Sequence, residues 1–149
     1  MISGIESTCL RYWNNVVATP SDNVAVQDSE QATQDRKIHG IILSSGVTEL
    51  VAPAAAATGE ATIDIQVGFN SQANAAGILA TLMNKNCVSQ QGAVTPAPFA
   101  NNGSANLYVP FSDPIKWPEG ATISLIVHYR NDTDGTCSME ATATILYTD

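Results

Sequence analysis

The strongest constraint in this chain is a two-residue alternation of apolar and polar side chains near its C-terminus. It runs through residues 121–130 and again through residues 138–147. Successive side chains of a β-strand point to opposite faces, so this period predicts two strands that each bury one face. The intervening sequence Asn131-Asp132-Thr133-Asp134-Gly135 supplies turn residues, so the two strands are predicted to form an antiparallel hairpin. The core-facing residues predicted in this hairpin include Ile123, Leu125, Val127, Tyr129, Met139, Ala141, Ala143, Ile145 and Tyr147.

Six further segments are predicted to be strands. Residues 61–69 alternate cleanly, whereas residues 38–43 are a nearly continuous apolar run, as in a strand that is covered on both faces. Residues 75–83 fit a helix or a strand, and Gly77, which weakens a helix by about 1 kcal/mol relative to Ala, favours the strand. The remaining candidates are 24–26, 48–51 and 107–111.

Eight strands at this spacing predict an all-β fold, a two-sheet antiparallel sandwich that is jelly-roll-like. Other sandwich topologies remain open at this point, because the order of strand pairing cannot be read from the sequence. Residues 86–106 are predicted to form a long loop. Pro110 lacks an N–H group and predicts that the strand 107–111 ends at a sheet edge.

The first 36 residues differ from the rest, because they are polar and contain few bulky side chains. We therefore predict an extended N-terminal arm over residues 1–36 and a sandwich domain over residues 37–149. Tyr12 and Trp13 are a large aromatic pair within this arm. Either they pack back onto the sandwich, or they anchor the arm on a neighbouring subunit, since aromatic residues dominate interface energetics.

Charge is scarce in this chain. Charged residues make up 13% of the sequence, about half the usual share of roughly 25%. A surface of small neutral polar groups can be buried against a neighbour at little desolvation cost, which fits an assembly subunit or a binding module. A charge-poor monomer remains an alternative. The net charge is −8 and the six basic residues are scattered, apart from the pair Arg36–Lys37, so we expect no binding to nucleic acid or membrane.

The sequence offers little for catalysis. His39 and His128 lie in predicted strands, where a structural or surface role is expected, and there is no nucleophile elbow, phosphate-binding loop or His-Glu-x-x-His motif. We therefore predict no enzymatic activity, no catalytic residues, no cofactor and no metal. Cys9, Cys87 and Cys137 are predicted to be free thiols, with a Cys87–Cys137 bridge as the alternative. The first residues do not form a signal peptide, so synthesis in the cytoplasm is expected.

The most distinctive stretch is Val109 to Ala121, in which Pro114, Trp117 and Pro118-Glu119-Gly120 make a tight corner before the alternating strand. Trp117 is expected to cap one end of the core. This corner resembles those of β-sandwich virion subunits, nearest the head decoration or cement proteins of tailed bacteriophages. The resemblance implies a jelly-roll-like fold, trimers on a capsid lattice and an N-terminal arm that reaches to neighbours.

The sequence therefore predicts a non-enzymatic virion structural protein, a capsid decoration or cement subunit that stabilises an assembled head. Its expected partners are the capsid protein lattice and further copies of itself in a homotrimer, and its expected location is the virion. The alternative is a carbohydrate- or receptor-binding module, such as a fibre tip, with Tyr108 and Trp117 as the ligand platform. Burial of Trp117 would favour the structural hypothesis over this alternative.

Overall fold

Eight β-strands account for most of the described chain. The computed structural model describes residues 4–17, 19–51, 59–69, 77–89, 103–132 and 135–149. The strands are β1 (Glu6–Val16), β2 (Thr19–Gln31), β3 (Arg36–Val51), β4 (Gly59–Gly68), β5 (Ile78–Ser89), β6 (Gly103–Trp117), β7 (Thr122–Asn131) and β8 (Thr136–Thr148). The described residues contain no helix of the length and apolarity needed to cross a membrane.

The strands form two four-stranded antiparallel sheets. The first sheet has the order β1-β8-β3-β6, and the second has the order β2-β7-β4-β5. β1 pairs with β8, β2 with β7, β3 with β6 and β4 with β5, so the first half of the chain runs antiparallel to the second half. A long hairpin rolled up in this way is the jelly-roll arrangement. The predicted all-β, jelly-roll-like sandwich is therefore confirmed. The predicted hairpin of residues 121–130 with 138–147 is wrong, because β7 and β8 lie in different sheets and each pairs with strands that are distant in the sequence.

The core lies between the sheets and is built mostly from the alternating residues of β3, β4, β7 and β8. The predicted inward set of β8 is confirmed: Met139, Ala141, Ala143, Ile145 and Tyr147 are all buried. In β7, Ile123, Leu125 and Val127 are buried as predicted and Tyr129 is partly buried against the core. Ser124 and Ile126, on the opposite face of β7, are buried as well.

The apolar run of residues 38–43 has a different cause from the one predicted. The register against β8 shifts between Ile38 and Gly40, where β3 carries one extra residue, a β-bulge. The bulge resets the alternation, so that Ile38, Ile41 and Leu43 all face the core, while Ile42 is exposed on the outside. The prediction that this strand is covered on both faces is thus wrong. Residues 48–51, which were predicted to form a separate strand, belong to the same strand β3.

β6 extends beyond the predicted end of its strand. It is an edge strand, in agreement with the position of Pro110, but it continues to Trp117. Its register against β3 jumps from the Gly40–Pro110 pair to the Ile38–Ile115 pair, so residues 111–114 are unpaired opposite this part of β3. Pro114, where the corner was predicted, therefore lies in a large irregular bulge within one strand. The predicted loop of residues 86–106 overlaps both β5 and β6, and residues 90–102 lie outside the described part.

The N-terminal segment is part of the sandwich rather than an arm. β1 pairs with β8 without interruption from the Glu6–Tyr147 pair to the Val16–Cys137 pair, and β2 is an edge strand of the second sheet. The expected separation of residues 1–36 from the sandwich is therefore wrong for these two strands. The physical reason is that both obtain their backbone hydrogen bonds from distant strands, while bulges in β2 break its own alternation.

The cysteines lead to a testable prediction. The thiol of Cys9 is free and half-buried, and Cys137 is buried, whereas the side chain of Cys87 lies outside the described side chains. We expect three titratable thiols when freshly purified protein is denatured without reductant and reacted with a thiol reagent. A parallel sample that has been reduced beforehand is the control. A lower count in the unreduced sample would show that a bridge exists.

Candidate interaction surface

The outer face of the first sheet is a regular surface formed by four paired strands. Because neighbouring strands are in register, its outward residues lie in rows that cross all four strands. Three successive rows, read from β6 to β1, are Tyr108–Ile42–Thr144–Cys9, Asn106–Ser44–Thr142–Arg11 and Ser104–Gly46–Glu140–Trp13. Arg11 and Glu140 are the charged members of these rows. These three rows are therefore largely neutral, with small polar side chains at their centre.

Two glycines allow larger side chains to lie flat on this face. A Cβ atom on Gly40 would come within 3.1 Å of the Tyr108 hydroxyl oxygen, and one on Gly46 would come within 3.2 Å of a carboxylate oxygen of Glu140. Tyr108 and Glu140 thus lie over the glycines instead of projecting from the sheet. A flat surface of this kind suits contact with another flat protein surface.

The predicted aromatic pair Tyr12 and Trp13 is divided between the two faces of β1. Tyr12 points into the core, is 8% exposed and stacks on Tyr129 with ring centroids 6.2 Å apart. Burial raises the pKa of Tyr12, because a phenolate at this position would lose its hydration. Trp13 points outward and is 65% exposed. For Tyr12 the first alternative, packing onto its own sandwich, is correct, and Trp13 alone is available to a neighbour.

Trp13 is held in place on the outer face. Its indole N–H donates a hydrogen bond of 3.0 Å to the hydroxyl of Ser138 on the adjacent strand β8. This bond restrains the ring, so that less side-chain entropy is lost when a partner covers it. An exposed indole with one fixed polar contact is the kind of residue that dominates interface energetics.

The platform predicted for a carbohydrate ligand does not form. Tyr108 is 52% exposed on the outer face, whereas Trp117 is completely buried. The Trp117 indole N–H donates to the carbonyl of Ala121 over 2.9 Å, and its ring meets Tyr147 edge-on with centroids 5.7 Å apart. Trp117 caps the core, as expected from the sequence, and cannot stack on a sugar together with Tyr108.

A cleft of about 490 Å³ lies at the end of the sandwich next to Trp117. We call it the basic cleft, because it contains three of the six basic residues of the chain. Its lining is formed by Asp35, Arg36, Lys37, Lys116, Pro118, Thr148 and Asp149. Sequence reasoning noted the adjacent Arg36 and Lys37 but missed Lys116, because the β3–β6 register that brings it alongside Lys37 cannot be read from the chain.

Arg36 is fixed within this cleft by aromatic rings and acids. Its guanidinium carbon lies 4.9 Å from the Trp117 ring centroid and 4.4 Å from that of Tyr147, which is cation–π geometry. It also forms ion pairs with Glu30 at 3.6 Å and Asp149 at 3.5 Å. Burial raises the pKa of Tyr147, and the positive charge of Arg36 partly opposes this rise.

The two histidines do not share a site. His39 in β3 forms a hydrogen bond of 2.8 Å with Thr148, and His128 in β7 forms one of 3.2 Å with Gln66, so they belong to different sheets. Within the described residues, no group of three or more His, Cys, Asp or Glu side chains could hold a metal ion.

No protein-family model and no curated protein matches the sequence. The capsid asymmetric unit of cyanophage Pam1 is similar in fold, with 12% identity over 99% of this chain and 87% of that chain and a TM-score of 0.42. The VP2 subviral particle of infectious bursal disease virus has 11% identity over 95% of this chain and 32% of that chain, with a TM-score of 0.43. The K3 adhesin domain of Lys-gingipain from Porphyromonas gingivalis has 15% identity over 95% of this chain and 74% of that chain, with a TM-score of 0.36. TM-scores this low do not identify a function.

Proposed function

We propose that this protein is a non-enzymatic structural subunit of a virion, a decoration or cement protein that binds the capsid lattice as a homotrimer. It would stabilise the assembled head by covering contacts between neighbouring capsid subunits. The observation that carries the proposal is the flat, largely neutral outer face of the first sheet, with Trp13 exposed at its edge.

The size of this face fits a stable contact. Four strands at about 4.8 Å spacing and the 11 residues of β1 at about 3.4 Å per residue give a face on the order of 700 Å². A standard protein interface takes roughly 800 Å² from each partner. Because so few charges stand on this face, little hydration is lost when it is covered, and the apolar contacts of Tyr108, Ile42 and Trp13 add favourable free energy.

The edges of the first sheet favour contact through the face rather than by strand addition. On β1, the backbone N–H of Arg11 already donates to the Asp28 carboxylate over 2.9 Å. On β6, Pro110 and Pro114 have no N–H group to offer. Both edges are thus partly closed to an added strand, as is common in proteins that avoid edge-to-edge pairing. The alternative function, a carbohydrate- or receptor-binding module, is less well supported because Trp117 is buried.

Replacing Trp13 by alanine tests the proposed contact. We expect capsid binding, measured by co-sedimentation with assembled heads that lack this protein, to weaken at least about tenfold, which corresponds to about 1.4 kcal/mol. The free energy of unfolding should change by less than about 1 kcal/mol, because the side chain is mostly exposed. Self-association of the free protein, measured by sedimentation equilibrium, should show a trimer.

The matched control is Met83→Ala, which removes a side chain that is 62% exposed on β5 of the second sheet. It should leave binding unchanged. A Trp13→Ala variant that binds heads as tightly as the wild type would show that this face is not the contact. A wild-type protein that stays monomeric and does not bind assembled heads would contradict the proposed function itself.

A further inference from the structure

We propose that the basic cleft is a docking site for carboxylate side chains of a second copy of this chain. This inference rests on the proposed function, since it assigns the self-contact within the oligomer to a particular surface. Its basis is a pair of lysine side chains in the cleft that have no carboxylate partner among the described residues of one copy of the chain.

Lys37 and Lys116 occupy directly opposite positions across the β3–β6 pair. Both side chains are exposed on the same face, and like charges directly opposite each other in a sheet repel. Among the described residues, no carboxylate lies within 4.0 Å of either ammonium group. An isolated subunit therefore carries an uncompensated pair of positive charges, and a carboxylate from outside would relieve the repulsion.

The acids within the cleft already have partners of their own. The carboxylate of Asp35 accepts a hydrogen bond of 2.9 Å from the backbone N–H of Glu119. Asp149 is paired with Arg36 at 3.5 Å, and Arg36 is held in turn by the aromatic rings beneath it. These acids are not the missing partners of the two lysines, but they do lower the net positive charge of the cleft.

The charge balance of the chain favours a second copy as the partner. Copies with a net charge of −8 repel one another, so contact between them is easiest where the few cations of one copy meet some of the 14 acids of the next. A nucleic acid is a poorer fit, because binding it requires a run of cations that neutralises several phosphates. The cleft instead offers one lysine pair beside two carboxylates.

The experiment compares self-association of the full chain by sedimentation velocity at several NaCl concentrations. The test variant is the double substitution Lys37→Glu and Lys116→Glu, and the double glutamine variant removes the charges without reversing them. The control is Arg130→Glu, an exposed cation at the opposite end of the sandwich, where β7 ends. Thermal unfolding followed by circular dichroism verifies that each variant is folded.

We expect the glutamate variant to self-associate at least tenfold more weakly than the wild type, and the glutamine variant to lie between them. Wild-type association should weaken as salt rises, and Arg130→Glu should match the wild type. Equal self-association of wild type and both lysine variants would overturn this inference and leave the proposed function intact. A wild-type protein that neither self-associates nor binds heads would overturn both. A fluorescent single-stranded DNA oligonucleotide tests the other class of partner. If it bound the wild type but not the lysine variants, while self-association stayed unchanged, the assignment to carboxylates would be overturned.

Discussion

Replacing Trp117 by alanine is expected to lower the free energy of unfolding by about 3–5 kcal/mol. The side chain is completely buried, caps the end of the core against Tyr147 and donates to the Ala121 carbonyl. Its loss would create a large cavity and remove one of the two rings that hold Arg36. It would also remove one of the two N–H donors to that carbonyl, which additionally accepts a hydrogen bond of 3.0 Å from the backbone N–H of Ala32. Urea denaturation followed by circular dichroism measures the change.

Trp13→Ala is the matched control for this measurement, because it makes the same substitution at a mostly exposed site on the first sheet. It should change stability by less than about 1 kcal/mol. If the two variants were destabilised equally, Trp117 would not be part of the core, and its assignment as the cap of the sandwich would be wrong.

Leu125→Ala is the second large effect, with an expected loss of about 2–5 kcal/mol. Leu125 is completely buried on the inner face of β7, where it belongs to the same core as Ile123, Val127 and Ile145. The same substitution at Leu107, which is 37% exposed on the edge strand β6, serves as the control and should cost clearly less. A change below about 0.5 kcal/mol in the free energy of unfolding would show that Leu125 is not part of the core and that the inward face of β7 is assigned wrongly.

The sequence was most informative where a strand shows its own alternation. β7 and β8 each pack one regular apolar face against the opposite sheet, so their inward residues could be predicted one by one. β1 could not be recognised in this way. Of its inward positions, Thr8 and Asn14 are polar, and its stability depends on a ladder with β8 that is far away in the sequence. A pattern within one segment carries no information about such a partner.

The predicted number of strands was correct because two errors cancelled. β1 was missed, while β3 was divided into two candidate strands around the polar residues Ser44 and Ser45. Ser45 faces the core and is buried, so a polar residue at an inward position hid the continuity of the strand. The bulge at His39 had the opposite effect, because it concentrated apolar residues into a run with no clear period.

The sequence identified several residues of the candidate sites, but it did not predict which of them lie together in the fold. Trp13 and Tyr108 were identified from the sequence, and both are exposed on one face, yet each was grouped with an aromatic residue that is buried. The relation between Lys37 and Lys116 depends on register across β3 and β6. Register follows from bulges and from the packing of both sheets, and neither can be read from one short segment.

The pairing of the first strand with the last has a consequence for the order of events during synthesis. The outer face proposed for contact is made in large part by β1 and β8, so it does not exist until β8 has left the ribosome and joined the sheet. Pairing between such distant segments is slow compared with local folding. A nascent chain therefore lacks the surface that we propose for contact, and this surface is complete only when the whole sandwich has formed.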